Sequence, residues 1–511
     1  MSLVRFRNPV IPGFHPDPSV CRVGSDFYLV NSSFEFFPGI PIYHSRNLVN
    51  WELVGHAWTR KDQFDMTGAG ASRGLFAPTI RFHAGEFFIT VTNVSGVGNC
   101  IMRSGKIEGP WSDPVPVAQG GIDPSLFFDD DGTAYFCTNA IADGKDGIAL
   151  SVVNPLTGEI RGPIRHICTG SGGRYPEAPH LYKFRGLYYL AVAEGGTEYG
   201  HMETLFRSAS LWGPYTPSPH NPILTHRNDA TSQIQCTGHA DIFDDADGNF
   251  WAVCLATRPL GPLLHNIGRE TYLAPVHWDD ELWFSIGDEG RIALEMEGPL
   301  PERPREASPR WEPRFEDGRM DPEWNFVRSP NLERFAFNAK NSSITIAGGA
   351  ENLSETVVSP SFIGRRQEEI DCAFTARVAL TENRGGEAGI AAYYSDSYHY
   401  EMFLRRENGG TRAILRRKIH DLEAETASRL VDSDGTGGVD LRIRANRNHY
   451  HFEYRSGKGS WNTLGTGMTA GLCTEGTHHM TFTGVYLGLF AVNATAKFSD
   501  IEYENGERPA P

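Results

Sequence analysis

No stretch of this 511-residue chain approaches the roughly 20 apolar residues a helix needs to span a bilayer. A helical membrane protein is therefore not expected. Basic charge is also short: 47 Lys plus Arg stand against 63 Asp plus Glu, a net charge of −16. Such a surface repels nucleic acid and anionic membranes, and neither is an expected partner. The eight cysteines are scattered, with no CxxC and no Cys/His pair at zinc spacing. They read as small buried hydrophobes, a usage that fits a reducing compartment. No signal peptide precedes Arg5, so a cytoplasmic location is expected, with secretion left open should a leader have been lost. Helical periodicity is nearly absent from residues 5–295, which argues for an all-β fold there.

What is present is a repeat. Five segments combine a polar turn with a short aromatic strand: "GSDFYLVNS" from Gly24, "HAGEFFITVT" from His83, "DDDGTAYFCT" from Asp129, "KFRGLYYLAV" from Lys183 and "DADGNFWAVC" from Asp245. Their Gly and Asp residues suit hairpin connections. Roughly ten residues before each stands a second signature: "DPSV" at Asp17, "APTI" at Ala77, "DPSL" at Asp123, "APHL" at Ala178 and "HADI" at His239. A unit of four short strands repeated five times is the pattern of a five-bladed β-propeller, expected over residues 1–296. Residues 297–314 are rich in proline and charge and read as a linker. From Phe315 alternation returns in segments such as "SSITIAG", "CAFTARVAL" and "VDLRIRAN", predicting a β-sandwich over 315–511. Its "SDSYHYEMFLRRENGGTRAILRRK" reads as a hairpin with a Gly-Gly turn.

Equivalent positions on innermost propeller strands face one central funnel. Asp17, Asp123 and His239 open their signatures, and Glu177 immediately precedes the fourth, in "YPEAPHL". The prolines around Asp17 are expected to stiffen the chain that aims it. Two carboxyl groups flanking a glycosidic bond suffice for hydrolysis, one protonated and one ionised, and a third can tune the acid. The competing reading is that acids before proline simply make turns. The runs Asp129–Asp131 and Asp244–Asp247 sit in predicted hairpin turns and read as solvated. His239 is either a hydrogen-bonded core group or, with ordered waters, a ligand to an axial cation. Arg269 in "IGRETYLAP" either pairs with a catalytic carboxylate, clasps sugar hydroxyls or belongs to a structural ion pair. Phe34, Phe36, Phe37 and Phe76 are candidates for stacking on sugar faces, against an ordinary core role.

"NPVIPGFHPDPSV", "NSSFEFFPGIPIYHSRNLVNW", "GIDPSLFFDDDG", "RYPEAPHLYK", "AEGGTEYGH", "TGHADIF" and "GRETYLAPV" closely resemble glycoside hydrolase family 43, in particular its two-domain β-xylosidase and α-L-arabinofuranosidase branch. The C-terminal "FTGVYLGLFAV" resembles that branch's sandwich, which closes the active-site pocket. The resemblance implies an inverting, exo-acting glycosidase, with Asp17 as general base, Glu177 as general acid and Asp123 as the residue that tunes and holds the acid. It implies that Arg269 and Phe34 line the sugar pocket and that Phe482 in "TFTG" reaches over it. It also implies that His239 lies beside or ligates an axial calcium ion, while catalysis itself requires no cofactor. One departure stands out: relatives often carry Trp where this chain has Phe76.

The expected reaction is release of terminal β-1,4-linked xylose from xylo-oligosaccharides. An α-L-arabinofuranosidase, or a bifunctional enzyme acting on arabinoxylan or xyloglucan side chains, is the alternative. A non-catalytic sugar-binding propeller is a remote one. A retaining fructan-cleaving propeller is disfavoured, because "HPDPS" stands where such enzymes carry a motif like "NDPNG". The partner expected is an oligosaccharide, and a homo-oligomer is among the states expected.

Overall fold

The computed structural model describes residues 3–261, 263–306, 308–381, 385–432 and 437–506. The five sequence signatures become five inner strands, Ser19–Val23, Leu75–His83, Ile122–Phe128, Glu177–Phe184 and Gln235–Asp244. The aromatic segments become the second strands, Asp26–Val30, Glu86–Asn93, Ala134–Asn139, Leu187–Glu194 and Phe250–Thr257. Two more strands complete each antiparallel blade, and the fourth blade carries one extra short strand. Polar turns do the joining. In the third blade Asp129 N–H donates to Thr133 O and Gly132 N–H to Asp129 O, with Gly132 in the left-handed region at φ 81°. The ring is closed by Val4–Arg7 pairing antiparallel with Glu295–Gly298. All eight cysteines are buried thiols.

Each signature opens with the same kink. Asp17, Ala77, Asp123, Ala178 and His239 have φ of 52°, 40°, 54°, 50° and 52°. In blades two to five the strand register slips at this point, as a bulge that re-aims one side chain. Each such non-glycine residue costs about 1–2 kcal/mol in backbone strain. The proline argument from sequence needs correction here. A residue before proline prefers extended backbone, and His239 kinks identically with Ala240 after it. The repeat geometry sets the kink, and proline merely follows it in four blades.

The second domain packs two sheets. One orders Phe335–Asn338, Ser343–Ala347, Thr495–Asn505, Cys372–Leu380, Gly438–Ala445, His449–Arg455 and Asn462–Met468, with Arg310–Trp311 added beside Thr495–Asn505. The other orders Phe362–Arg366, Tyr486–Val492, Glu387–Ser395, Tyr398–Glu407, Gly410–Ile419 and Leu422–Val431. Cys372–Leu380 alternates strictly between buried and half-buried positions, the period of two that a two-layer sandwich demands. The predicted hairpin forms, but Glu407 pairs with Gly410, so its turn is Asn408-Gly409 rather than Gly-Gly.

The two domains share a core. One continuous apolar cluster runs from Trp58, Ile80 and Phe37 of the propeller to Trp324, Phe374 and Leu487 of the sandwich. Phe326–Val327 pairs as a strand with Phe36–Phe37, and the Phe36 ring stacks on Tyr486 at 4.0 Å. Each large apolar side chain fully buried here contributes about 1.5–3 kcal/mol, so apolar burial holds the boundary together. Among the described residues no helix is long and apolar enough to cross a membrane.

Candidate active site

Asp17 is buried at the centre of the ring. Arg269 Nη1 donates to its Oδ1 at 2.8 Å, and the Ser32 hydroxyl donates to its Oδ2 at 2.6 Å. His239 Nδ1 stands 3.4 Å from Oδ1. Burial alone would raise this carboxyl, but Arg269, His239 and Ser32 outweigh burial and hold it below the usual carboxylate range. Asp17 is therefore ionised at neutral pH.

Glu177 begins the inner strand of the fourth blade, opposite Ala193. Among the described residues no group hydrogen-bonds its carboxyl. Burial first, and then the negative charge of Asp17, push it up to about 7, against the pull of Arg269. Asp123, buried on the third blade, is pushed well above the carboxylate range by burial and by the charges of Glu177 and Asp17. The three acids, separated by up to 160 positions in the chain, thus sense one another. One is held below the usual carboxylate range and two are pushed above it, the asymmetry that acid/base chemistry on a glycosidic bond requires.

Arg269 is the second centre. Its Nη1 also donates to Thr197 Oγ1 at 2.9 Å, and Nη2 donates to the Phe482 carbonyl at 3.3 Å. Its guanidinium lies 5.8 Å from the Phe34 ring and 5.7 Å from the Phe482 ring. Phe34, Phe76 and Phe482 form one aromatic group, with centroids 4.8 Å apart for Phe34–Phe76, 5.9 Å for Phe34–Phe482 and 5.8 Å for Phe76–Phe482. The structure therefore brings together all four residues singled out for sugar binding. Phe36 and Phe37 do not join them; they pack on Tyr486 and Trp58.

Phe482 comes from the sandwich, in the segment preceding Tyr486–Val492. Its N–H donates to the Ser72 hydroxyl at 2.9 Å, and the Ser72 N–H donates to the Glu35 carboxylate at 3.1 Å. Nearby, Val485 N–H donates to Asn266 O. A Cβ on Gly484 would lie 1.8 Å from the Ile267 carbonyl oxygen, so only glycine lets the two backbones meet this closely. Glu475 accepts from Tyr199 and faces His265. A cavity of about 370 Å³ opens along this seam, lined by Thr197, Tyr199, His265, Glu475, Arg269 and Phe482. It shares Arg269 with the acid cluster and Phe482 with the aromatic group.

Sequence reading missed Ser32, Thr197 and Glu35. Ser32 and Glu35 stand in the same "NSSFEFFPG" as Phe34, but nothing in a serine's spacing announces a carboxylate partner. Thr197 lies within "AEGGTEYGH".

The axial calcium expected from the resemblance can be tested on donor chemistry. His239 offers one imidazole, turned toward Asp17. Among the described residues no three His, Cys, Asp or Glu side chains are placed to hold a metal ion. The neighbouring Asp241 is already engaged by the guanidinium of Arg81, with Nη1 2.8 Å from Oδ2. Protein side chains alone therefore build no calcium cage among the described residues; a cation here would have His239 as its protein ligand and water for the rest.

Residues 6–284 match the family model described as glycosyl hydrolases family 43, and residues 313–504 match the β-xylosidase C-terminal concanavalin A-like domain. The non-reducing end α-L-arabinofuranosidase BoGH43B of Bacteroides ovatus is 39% identical over 95% of this chain and 91% of its own. Xylosidase/arabinosidase 43B of Humicola insolens is 33% identical over 97% of this chain and 96% of its own. The solved xylan β-1,4-xylosidase of Bacillus halodurans C-125 superposes with a TM-score of 0.90 at 31% identity, covering 98% of this chain and all of the other. With propeller and sandwich both matched, this chain belongs to glycoside hydrolase family 43.

Proposed function

We propose that this glycoside hydrolase removes single terminal pentosyl units with inversion of configuration, foremost β-1,4-linked xylose from xylo-oligosaccharides. The observation that carries the reading is the pairing of Asp17, held ionised by Arg269, with Glu177, pushed up to about 7, around an arginine that also meets Phe34 and Phe482. Asp17 acts as general base, taking a proton from the water that attacks the anomeric carbon. Glu177 donates its proton to the departing oxygen. No hydrogen bond joins the two carboxyls among the described residues, which suits an inverting pair about 6.5–9.5 Å apart with water between them. Asp123 holds the acid in place, and Arg269 both anchors Asp17 and meets sugar hydroxyls. Phe34, Phe76 and Phe482 supply the apolar walls, and the Phe482 segment blocks the far end so that only a chain terminus enters.

A second reading, release of α-L-arabinofuranose, is favoured by the 39% identity to an arabinofuranosidase along nearly the whole chain and by the smaller face of Phe76. The ratio of kcat/KM on nitrophenyl β-D-xyloside and nitrophenyl α-L-arabinofuranoside decides between them. Proton NMR of the first product tests inversion: an initial product retaining the substrate's anomeric configuration would overturn the proposal. Cytoplasmic handling of imported oligosaccharides is part of the same reading, and fractionation of native cells tests it.

A further inference from the structure

Below the acids, four of the five inner strands meet at one ion pair. Arg81 comes from the second blade and Asp241 from the fifth. The carboxylate of Asp241 accepts five hydrogen bonds: Ser19 Oγ at 2.7 Å and Val20 N–H at 3.1 Å from the first blade, both terminal nitrogens of Arg81 at 2.8 and 3.2 Å, and Tyr182 OH at 2.8 Å from the fourth. Arg81 Nη2 also donates to His180 Nδ1 at 3.0 Å, again from the fourth blade. The pair is deeply buried, with the Asp241 side chain 1% and the Arg81 side chain 18% exposed.

Its place in the sequence matters as much as its partners. Ser19 lies two residues after Asp17, Asp241 two after His239, and His180 three after Glu177. Arg81 lies four after the kinked Ala77, whose N–H holds Ser32 against Asp17. The node thus grips every inner strand that carries an acid or its neighbour, except the third. A buried carboxylate at such a point needs a positive charge. A divalent ion on the axis would supply one in a propeller lacking it; here a fixed side chain does.

We propose that Arg81 is a built-in axial cation, standing in for a metal ion, and that the pocket is assembled and held without a divalent metal. The inference needs no particular sugar substrate and is tested without one. Metal analysis of the purified, dialysed protein should find no stoichiometric calcium, and neither millimolar calcium nor a chelator should move its unfolding midpoint. Arg81→Met should lower that midpoint, since it strands a buried carboxylate, and added calcium should recover part of the loss by binding the Asp241 site it vacates. One calcium ion per chain retained by the unaltered protein, or a midpoint lowered by the chelator, would overturn the proposal. So would an Arg81→Met variant as stable as the parent without any added cation. Should that variant fail to fold, the measurements on the unaltered protein still decide.

Discussion

The hydroxyl of Ser32 lies 2.6 Å from Asp17 Oδ2 while accepting the Ala77 N–H, also at 2.6 Å. Facing an ionised carboxylate that can only accept, its proton points at Asp17. Ser32→Ala should remove a hydrogen bond that lowers the Asp17 pKa and leave the Ala77 N–H without a partner, at a cost of about 1–3 kcal/mol. The acid limb of the kcat/KM profile should move to higher pH, with kcat/KM down about tenfold at the optimum, equivalent to about 1.4 kcal/mol. A profile unchanged in shape would deny Ser32 this positioning role.

Glu177, the proposed proton donor, should set the alkaline limb: in that role it must be protonated, so activity should fall as pH rises through about 7. Glu177→Gln should cost about 10²- to 10⁴-fold in kcat on unactivated substrates, and much less where the leaving group departs unaided. Stability carries the same signature. Glu177 binds its proton more tightly when folded, so this group's contribution to stability declines from the ordinary glutamate range up to about pH 7.

Asp17 and Asp123 should act differently on that acid. After burial, the charge of Asp17 is what raises Glu177, whereas Asp123 is itself pushed up by burial and by the charges of Glu177 and Asp17. Asp17→Asn should therefore lower the Glu177 pKa, read by carboxyl NMR or infrared titration. Asp123→Asn, which removes none of the charges that raise Glu177, should shift it less while still lowering kcat through misplacement. The reverse order would show that Asp123 is charged in the working enzyme.

Phe482→Ala should act on substrate binding. Its ring borders Phe34, Phe76 and Arg269, but the backbone bonds of the segment remain. KM for a xylo-oligosaccharide should rise about tenfold, or about 1.4 kcal/mol, with a smaller change in kcat and little change in the unfolding midpoint.

Because the apolar core crosses the domain boundary, both domains should unfold in one calorimetric transition. Arg258 joins them through Glu270 of the propeller at 2.7 Å and Glu369 of the sandwich at 2.6 Å. Glu369→Gln should lower stability by about 1.5–3 kcal/mol, the worth of a hydrogen bond to a charged group. It should do so without splitting the transition; two resolved transitions would contradict a shared core.

The propeller was legible because its signal repeats: five turn-plus-aromatic segments landed on the second strand of every blade. The acids were legible because Asp17 and Asp123 occupy the repeated kink and Glu177 adjoins it. Proline was over-read, since His239 adopts the same backbone without it. The Arg81–Asp241 pair was out of sight for a related reason. His239 looked like the odd member of the ring, while Arg81, in "PTIRFH", resembled any charged residue near a strand end. Its meaning depends on Asp241, Ser19 and His180, partners scattered over four blades. Ser32 was hidden the same way, by a contact to a carboxylate fifteen positions upstream.

The strand Thr495–Asn505 lies in the middle of its sheet, between Ser343–Ala347 and Cys372–Leu380, and the Phe482 carbonyl accepts from Arg269, the partner of Asp17. During synthesis on the ribosome, a chain that has already formed all five blades would still lack the Phe482 segment and its sandwich centre. Catalytic competence should then arrive only after the strand Thr495–Asn505 has emerged, and products cut short before Thr495 should be inactive and prone to degradation rather than weakened enzymes.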